Sequence, residues 1–327
     1  VSDQILATVA ILTYNGEDYL ERILSAIESQ EINGVVDILV IDSGSTDSTL
    51  DIVRRHPSTR LHEIPNAEFG HGKTRNLAVS LARGEFIAFL THDAIPASTT
   101  WLKEILAPFD LDPSVVAVMG KQVPRATCFP LLAYEIQSVF QGFGPDFGTT
   151  VFENGDFITN EGILSAVGFY SDVNSAARRE FLATVIPYRD VQYAEDQLFG
   201  RDLIVAGYRK AYAPRAIVEH SNDLTLDEYG KRIFDETVGL RDIGTTITRV
   251  SRTGALARSL RGSAVDSLRI ARDGRYTWRR KLYWLAVNPL FHFRKWFSYS
   301  AASSVDIADE TTRRRFSLEH SRKSPTS

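Results

Sequence analysis

The chain has 327 residues, 43% hydrophobic and 24% charged, with 21 Gly and 12 Pro, a composition that excludes a disordered or fibrous protein and allows a substantial core. Its single cysteine, Cys128, excludes a disulfide framework or a cysteine-based zinc site within one chain and fits a reducing compartment. The net charge of −4 hides a division: residues 249–327 hold 17 Lys and Arg against 6 Asp and Glu, and residues 1–248 hold 20 against 35. A basic, aromatic-containing tail on an acidic body suits contact with an anionic surface.

In chain order, Ala7 to Thr13 is a short apolar run closing on Asn15-Gly16, and Leu20, Ile23, Leu24 and Ile27 then recur at helical spacing: strand, turn, helix. The unit repeats with a buried-type strand from Val36 to Asp42 and a helical stretch holding Leu50 and Val53; Arg60 to Ile64 is a third, shorter strand. Helical Thr74 to Ala82, strand Glu85 to Leu90, helical Trp101 to Phe109 and strand Val115 to Gly120 continue the alternation, which implies βαβ units, a mainly parallel sheet and ligands at the carboxyl ends of its strands. Lys121 to about Gly168 is irregular and rich in Pro, Gly and aromatics, with one helix near Leu131 to Phe140; it reads as a binding loop or lid. Order returns with Tyr170 to Ala176, helices at about Ala177 to Ala183 and Glu195 to Ala206, and a strand pair around Arg209 to His220. Helices Leu226 to Asp242, Ala255 to Ala271 and Tyr276 to Ser298 follow, the last expected to kink or break at Pro289, and the stretch from Ser317 reads as frayed. No apolar run reaches the roughly 18 residues of a spanning helix and no basic segment precedes the first apolar stretch, so the protein is expected to be cytoplasmic.

Several segments carry chemistry. Asp42-Ser43-Gly44-Ser45 follows a buried strand, where its carboxylate could accept from a base N–H or a ribose hydroxyl or could serve only a helix-capping loop. Phe69 to Thr74 imitates a P-loop, but Ala67 stands where that motif needs its first Gly. Lys73 and Arg75 could still hold a diphosphate at the helix start, or be solvated helix charges. Asp93, in Thr91-His92-Asp93, ends the most hydrophobic strand, as a loop cap or a ligand for a hard divalent ion. Glu195-Asp196 opens a helix and His220 ends a later strand; taken singly, each has an ordinary structural explanation.

The order of the pieces is more specific than any one of them. TVAILTYNGEDYLERIL, VIDSGSTDSTLDI, EFGHGKTRNLAVSLARGEFIAFLTHDAIP, DVNSAARREF, AEDQLFGRDLIVAGYRKAYAP and VEHS together resemble family 2 glycosyltransferases of the GT-A fold over residues 7–223, and EFGHGKTRN with FLTHDAIP resembles the bacterial rhamnosyltransferases that use dTDP-rhamnose. The resemblance implies an α/β GT-A fold, a Rossmann-like, mainly parallel sheet flanked by helices, with a helical C-terminal extension. It divides the chain into a nucleotide-sugar half (1–120), an acceptor and catalytic half (121–225) and a basic extension (226–327). By position it places Thr13, Tyr14, Asn15, Glu17, Asp42, Gly44 and Ser45 around the nucleoside, and Gly72, Lys73, Arg75 and Asn76 along the diphosphate and sugar. Asp93 matches the last acid of the metal-binding D-x-D motif, whose first acid is here Thr91 and whose middle position is His92; either His220, which matches a downstream histidine, completes a Mg²⁺ or Mn²⁺ site, or metal dependence is weak. Asp196 matches the catalytic base, with Glu195 beside it to orient the site or touch the acceptor, and Asn174 could line the sugar pocket.

The implied reaction is an inverting transfer of rhamnose to a hydroxyl of a cell-surface or lipid-linked glycan. A UDP-hexose donor, a polyprenyl-phosphate acceptor and, remotely, a nucleic-acid binder using the basic tail are the alternatives; the acidic body and the lack of any recognisable nucleic-acid module weigh against the last. Residues 276–298 either meet an anionic membrane surface or pack on the body or in a homo-oligomer.

Overall fold

The computed structural model describes residues 5–154, 158, 160–306 and 310–318. These fall into two units, one of residues 1–125 and 136–221 and another of residues 126–135 and 222–327.

The first unit is built on runs of β-branched and apolar residues separated by helices. Along the chain it holds β1 (Ile5–Thr13), α1 (Leu20–Glu28), β2 (Val35–Asp42), α2 (Thr49–Arg55), β3 (Thr59–Glu63), α3 (His71–Leu81), β4 (Phe86–Thr91), β5 (Ile95–Pro96), α4 (Trp101–Leu111) and β6 (Val115–Val123). After α5 (Pro130–Gln141), whose first turns belong to the other unit, come β7 (Thr150–Phe152), α6 (Glu161–Gly168), β8 (Asn174–Arg178), α7 (Arg179–Thr184), α8 (Glu195–Val205) and β9 (Arg209–Glu219). The sheet order is β3-β2-β1-β4-β8-β6-β9-β5, with β7 also on β9. β1 is parallel to β2 and β4, β2 to β3 and β6 to β9.

Because successive strand residues point to opposite faces, Val9, Ile11, Val40 and Leu90 meet α1, α2 and α4 through Leu20, Ile23, Ile52 and Trp101. Ala10, Ile41, Ile87 and Phe89 meet α3, α7 and α8 through Val79, Leu182, Phe199 and Leu203. Both faces are therefore apolar, which suits parallel strands covered on two sides.

Only β8 interrupts the central run, antiparallel to both β4 and β6. Its first residue, Asn174, is fully buried and accepts from Trp101 Nε1 at 2.9 Å while donating to the carbonyls of Ala216 at 2.7 Å and Lys121 at 3.1 Å. A Cβ on Gly120 would lie 2.2 Å from Asn174 Nδ2, so this glycine is what lets the amide reach its carbonyls.

Three elements differ from the sequence expectation. The strand pair around Arg209 to His220 is one strand, β9. Its register against β6 shifts from Gly120–Ala213 to Lys121–Ile217, so Pro214 lies in a bulge and not in a hairpin turn. The irregular segment from Lys121 to Gly168 contains β7 and α6, the latter capped by Asn160, whose Oδ1 accepts from the amides of Gly162 and Ile163; a three-residue strand and a Gly- and Ala-rich helix leave little periodicity to read. Finally, the last long helix does not break at Pro289.

The second unit is helical: the start of α5, α9 (Leu226–Asp242), α10 (Arg252–Arg272), α11 (Trp278–Ser304) and α12 (Glu310–Phe316). α9 opens on a capping box in which Thr225 Oγ1 accepts from the Glu228 amide and Glu228 Oε2 from the Thr225 amide. α11 remains a helix across Pro289 because its flanks are held: Asn288 Oδ1 accepts from the Leu131 amide at 2.9 Å and Phe291 stacks on Phe129 at 4.0 Å. Asp266 of α10 and His292 of α11 form a buried pair at 2.9 Å. Of the stretch expected to fray, Ser317 and Leu318 are described and buried, and the rest lies outside the described residues.

Replacing Asn174 by Ala would orphan the buried Trp101 N–H and the two carbonyls. The Asn174→Ala protein is expected to lose about 3 kcal/mol of stability, read as a lowered urea midpoint at unchanged slope. A loss below about 0.5 kcal/mol would show that the amide is not a structural pin.

Candidate active site

The loops after β1, β2, β4, β6 and β9 emerge at one end of the parallel strands, and the start of β8 joins them because that strand runs the other way.

The first two loops are laced together. The amide of Asn15, which adopts a left-handed φ of 49°, donates to Ser45 Oγ at 2.8 Å and its Oδ1 accepts from the Thr46 amide at 2.9 Å. The Gly16 amide donates to Thr49 Oγ1 at 2.8 Å, and Glu17 Oε2 accepts from the Ser48 amide at 3.0 Å. Asp42 is fully buried: its Oδ1 accepts from the amides of Gly44 and Ser45, both at 2.9 Å, and its Oδ2 from Ser45 Oγ at 2.5 Å. Gly44 has φ 82°, the left-handed conformation this turn requires and glycine supplies without strain. Thr13 Oγ1 is buried with no hydrogen-bond partner among the described residues, and Tyr14 is 38% exposed beside it.

At the next corner Asp93 Oδ1 accepts from Thr91 Oγ1 at 2.7 Å and Oδ2 lies 3.3 Å from His220 Nε2. His220 Nδ1 is 3.0 Å from Gln122 Oε1, and Gln122 Nε2 donates to Ser171 Oγ at 3.1 Å. Burial pushes the Asp93 carboxyl up, but the neighbouring imidazoles of His220 and His92 and the bonds from His220 and Thr91 overcome it and hold the group well below the usual carboxylate range. His92 lies against Gly16, where an added Cβ would come within 3.3 Å of the histidine Cβ. Among the described residues no group of three or more His, Cys, Asp and Glu is gathered to hold an ion.

The third corner is a buried charge cluster. Arg75 forms ion pairs with Asp172, at 2.8 Å, and with Glu195. Asp172 Oδ1 also accepts from Ser175 Oγ at 2.6 Å and Tyr188 OH at 3.0 Å. The Asp172 amide donates to Asp196 Oδ2 at 3.2 Å and the Gln197 amide to Asp196 Oδ1 at 2.8 Å. α8 begins abruptly, at Ala194 in a left-handed conformation (φ 59°), and so sets Glu195 and Asp196 into this cluster. Burial, reinforced by the neighbouring charges of Glu195 and Asp172 and opposed by Arg75, pushes the Asp196 carboxyl up to about 8.

The structure therefore brings Glu195 and Asp196 together in one cluster, Asp93 and His220 together in another, and Thr13 to Glu17 together with Asp42 to Ser45 in a third. Three residues expected along the diphosphate and sugar, Arg75, Asn174 and Asn76, have protein partners in this structure. Arg75 is buried and committed to Asp172 and Glu195, because three carboxylates packed out of water need a cation among them. Asn174 is consumed by the Trp101, Lys121 and Ala216 bonds. Asn76 is likewise engaged, exchanging hydrogen bonds with the backbone of Tyr188 at 2.8 and 3.0 Å. Gly72 packs against the Arg189 carbonyl, which an added Cβ would meet at 2.1 Å, and Lys73 is exposed on the first turn of α3. Asp172, Gln122 and Arg125 were not apparent from the sequence. Asp172 lies in the same DVNSA segment as Asn174, and a carboxylate there was the available signal.

A family model described as glycosyl transferase family 2 matches residues 8–185. The chain belongs to that family. It is 33% identical over 233 residues to the O-antigen chain rhamnosyltransferase RfbN of Salmonella typhimurium, and 34% identical over 236 residues to the O-antigen chain rhamnosyltransferase WbaN of Salmonella anatum, with 71% of this chain and 71% of each relative covered. The solved structure of mannosyltransferase PcManGT from Pyrobaculum calidifontis, in complex with GDP-Man and Mn²⁺, matches with a TM-score of 0.56 at 20% identity, covering 92% of this chain and 85% of that one. S. aureus TarS 1-349 in complex with UDP matches with a TM-score of 0.50 at 17% identity, covering 91% and 90%. At these identities the structural likeness shows the fold, which is GT-A as expected. This family 2 chain is a glycosyltransferase.

A carboxyl raised on folding holds a proton that the unfolded chain releases, so its contribution to stability is complete below about pH 4 and is lost as the pH rises through about 8. Urea midpoints of this glycosyltransferase are expected to fall between about pH 5 and about pH 8.5, and Asp196→Asn to flatten that fall. An unchanged fall in the variant would mean that the retained proton is not on Asp196.

Proposed function

We propose that this glycosyltransferase moves L-rhamnose from dTDP-rhamnose, with inversion, to a hydroxyl of a cell-surface glycan or lipid-linked glycan. The donor assignment is carried by one observation, the 33–34% identity to two O-antigen chain rhamnosyltransferases over 71% of the chain. In the proposed step the acceptor oxygen bonds to the anomeric carbon as the bond from that carbon to the leaving diphosphate oxygen breaks, and the hydroxyl proton passes to Asp196. The setting of Asp196 supports this role: a carboxylate with a pKa near 8 is a stronger base than an ordinary aspartate once ionised. Glu195 and Asp172, locked on Arg75, fix the start of α8 that carries it.

Asp93 and His220 suit a Mg²⁺ or Mn²⁺ ion, since a hard carboxylate oxygen and an imidazole nitrogen converge at 3.3 Å while the other ring nitrogen is occupied by Gln122. With two protein donors, the remaining ligands would be diphosphate oxygens and water. The ion would supply charge compensation for the departing nucleoside diphosphate. Thr13, Tyr14, Asn15, Glu17, Asp42, Gly44 and Ser45 would receive the nucleoside, and Lys73 and His92 would face the diphosphate.

Calorimetry with dTDP-rhamnose, UDP-glucose, UDP-galactose and GDP-mannose, each with Mn²⁺ and with EDTA, tests the donor: selective, metal-assisted binding of dTDP-rhamnose is expected, and preference for a UDP-sugar would overturn the rhamnosyl assignment. Asp196→Asn is expected to keep donor affinity and lower turnover by about 100-fold or more. In the unaltered protein, kcat/KM should rise with pH through about 8, because the base must be ionised. Near-normal transfer by the variant would remove Asp196 from the role.

No helix among the described residues is long and apolar enough to cross a membrane. A lipid-linked acceptor would be met at an anionic membrane surface through residues 276–298. Part of that segment packs inward, with Tyr276 and Phe291 buried, but Trp278, Leu282 and Tyr283 are 67, 59 and 56% exposed next to exposed Arg279 and Arg280. The double variant Trp278→Asp, Leu282→Asp is expected to lose co-sedimentation with phosphatidylglycerol vesicles; equal sedimentation of both proteins would exclude this face.

A further inference from the structure

We propose that Arg125 is a positioning residue that couples the nucleoside pocket to the ion corner, so that metal and nucleoside diphosphate strengthen each other's binding through it. The inference rests on the reading that Asp93 and His220 hold the ion and that the loop after β1 receives the nucleoside.

β5 and β9 are antiparallel with Ile95 opposite Glu219 and Pro96 opposite Val218. One rung on, the same register sets residue 94 opposite residue 220, and the next sets Asp93 opposite Ser221. At that rung the chains are joined through a third residue: Arg125 Nη2 donates to the Asp93 carbonyl and Nη1 to the Ser221 carbonyl. The Arg125 amide also donates to Ser221 Oγ at 3.4 Å, and the His220 amide donates to the Val123 carbonyl at 2.9 Å. Two carbonyls cannot bond to each other, and the planar guanidinium supplies both donors at a fixed separation, which a lysine cannot reproduce. Arg125 therefore sets the spacing of the two chain segments from which Asp93 and His220 converge.

The same guanidinium lies 3.9 Å from the centre of the Tyr19 ring. Tyr19 caps α1 directly after the laced loop of Asn15 to Glu17, and the amides of Tyr19 and Leu20 both donate to the Gly16 carbonyl, at 3.3 and 3.1 Å. The fork of Arg125 thus grips the ion corner, its face bears on the nucleoside loop, and the side chain itself is only 7% exposed. Arg125 joins the two segments directly, beside the contact of His92 with Gly16, and coupling of this kind is reciprocal between two ligands.

The test uses full-length protein with dTMP, dTDP and Mn²⁺, reading nucleotide affinity by calorimetry and Mn²⁺ alone by electron paramagnetic resonance. In the unaltered protein Mn²⁺ should tighten dTDP. In Arg125→Met that gain is expected to shrink by about tenfold or more, and Mn²⁺ alone to bind more weakly by a similar factor, while metal-free dTMP affinity stays within about twofold. Arg125→Lys should recover only part of the gain. An undiminished Mn²⁺ effect in folded Arg125→Met overturns the proposal, as does an equal loss of metal-free dTMP binding, which would make Arg125 a general prop. Should Arg125→Met not fold, Tyr19→Leu carries the test: it leaves the fork on its carbonyls, so Mn²⁺ alone should bind normally and the mutual gain with dTDP should fall. Persistence of the full gain there would again overturn it. If the unaltered protein binds neither dTDP nor dTMP, the thymidine-donor reading fails, and the same series with UDP and UMP then decides the coupling by the same outcomes.

Discussion

The reversal of β8 between β4 and β6 is the constraint on which the candidate site depends. Had β8 run parallel to its neighbours, its beginning would lie at the far end of the sheet and Asp172 could not reach the start of α8. Running antiparallel, it delivers Ser171, Asp172 and Asn174 to the end where β4, β6 and β9 finish. Asn174 then anchors that reversal by tying α4, β6 and β9 to one buried amide. The backbone bond from Asp172 to Asp196 is a direct product of this topology.

Charge is managed differently in two neighbouring corners. Around Arg75 one guanidinium faces Asp172 and Glu195, with Asp196 beyond them. One cation cannot neutralise three carboxylates in a medium of low polarity, so the cluster keeps a proton and acts as a unit in titration. Around Asp93 the neighbours are His220, His92 and Thr91, and the carboxylate stays ionised. An acid whose pKa is raised and an acid whose pKa is lowered thus stand at the same end of the sheet, and a hydrogen-bonded chain runs from His220 through Gln122 to Ser171, the residue before Asp172. Opposite settings of like groups are a recurrent feature of sites that divide proton transfer from charge stabilisation.

The alternation of strands and helices was legible because burial on both faces of a parallel sheet leaves unbroken apolar runs, and helices betray themselves by the spacing seen in Leu20, Ile23, Leu24 and Ile27. The positions of Asp42, Asp93, Asp196 and His220 were legible from their order and from their place at element ends. What was not legible depends on pairings across long stretches of sequence. The pairing of Arg75 with Asp172 and Glu195, about a hundred residues on, has no local mark in the glycine-rich turn beside it. The bonds of Asn174 to Trp101 and Ala216 likewise join residues far apart in the chain. The segment from Arg209 to His220 reads as a strand pair, and only the register against β6 reveals one strand with a bulge at Pro214. Gln122 and Arg125 sat at the edge of a segment with no periodicity, where nothing local marks a residue that joins three distant loops.

The bonding of Asp42 bears on how a base would be told apart at all. The three hydrogen bonds to its carboxylate all come from its own turn, the shortest from Ser45 Oγ. An incoming N–H has no vacant carboxylate waiting for it and must either share an oxygen or displace the serine hydroxyl. In the proposed nucleoside role, displacing the serine would make recognition an exchange whose yield is the difference between two bonds of similar strength. A turn built this way would contribute little to affinity yet respond sharply to donor geometry, since a misplaced donor leaves the serine in possession.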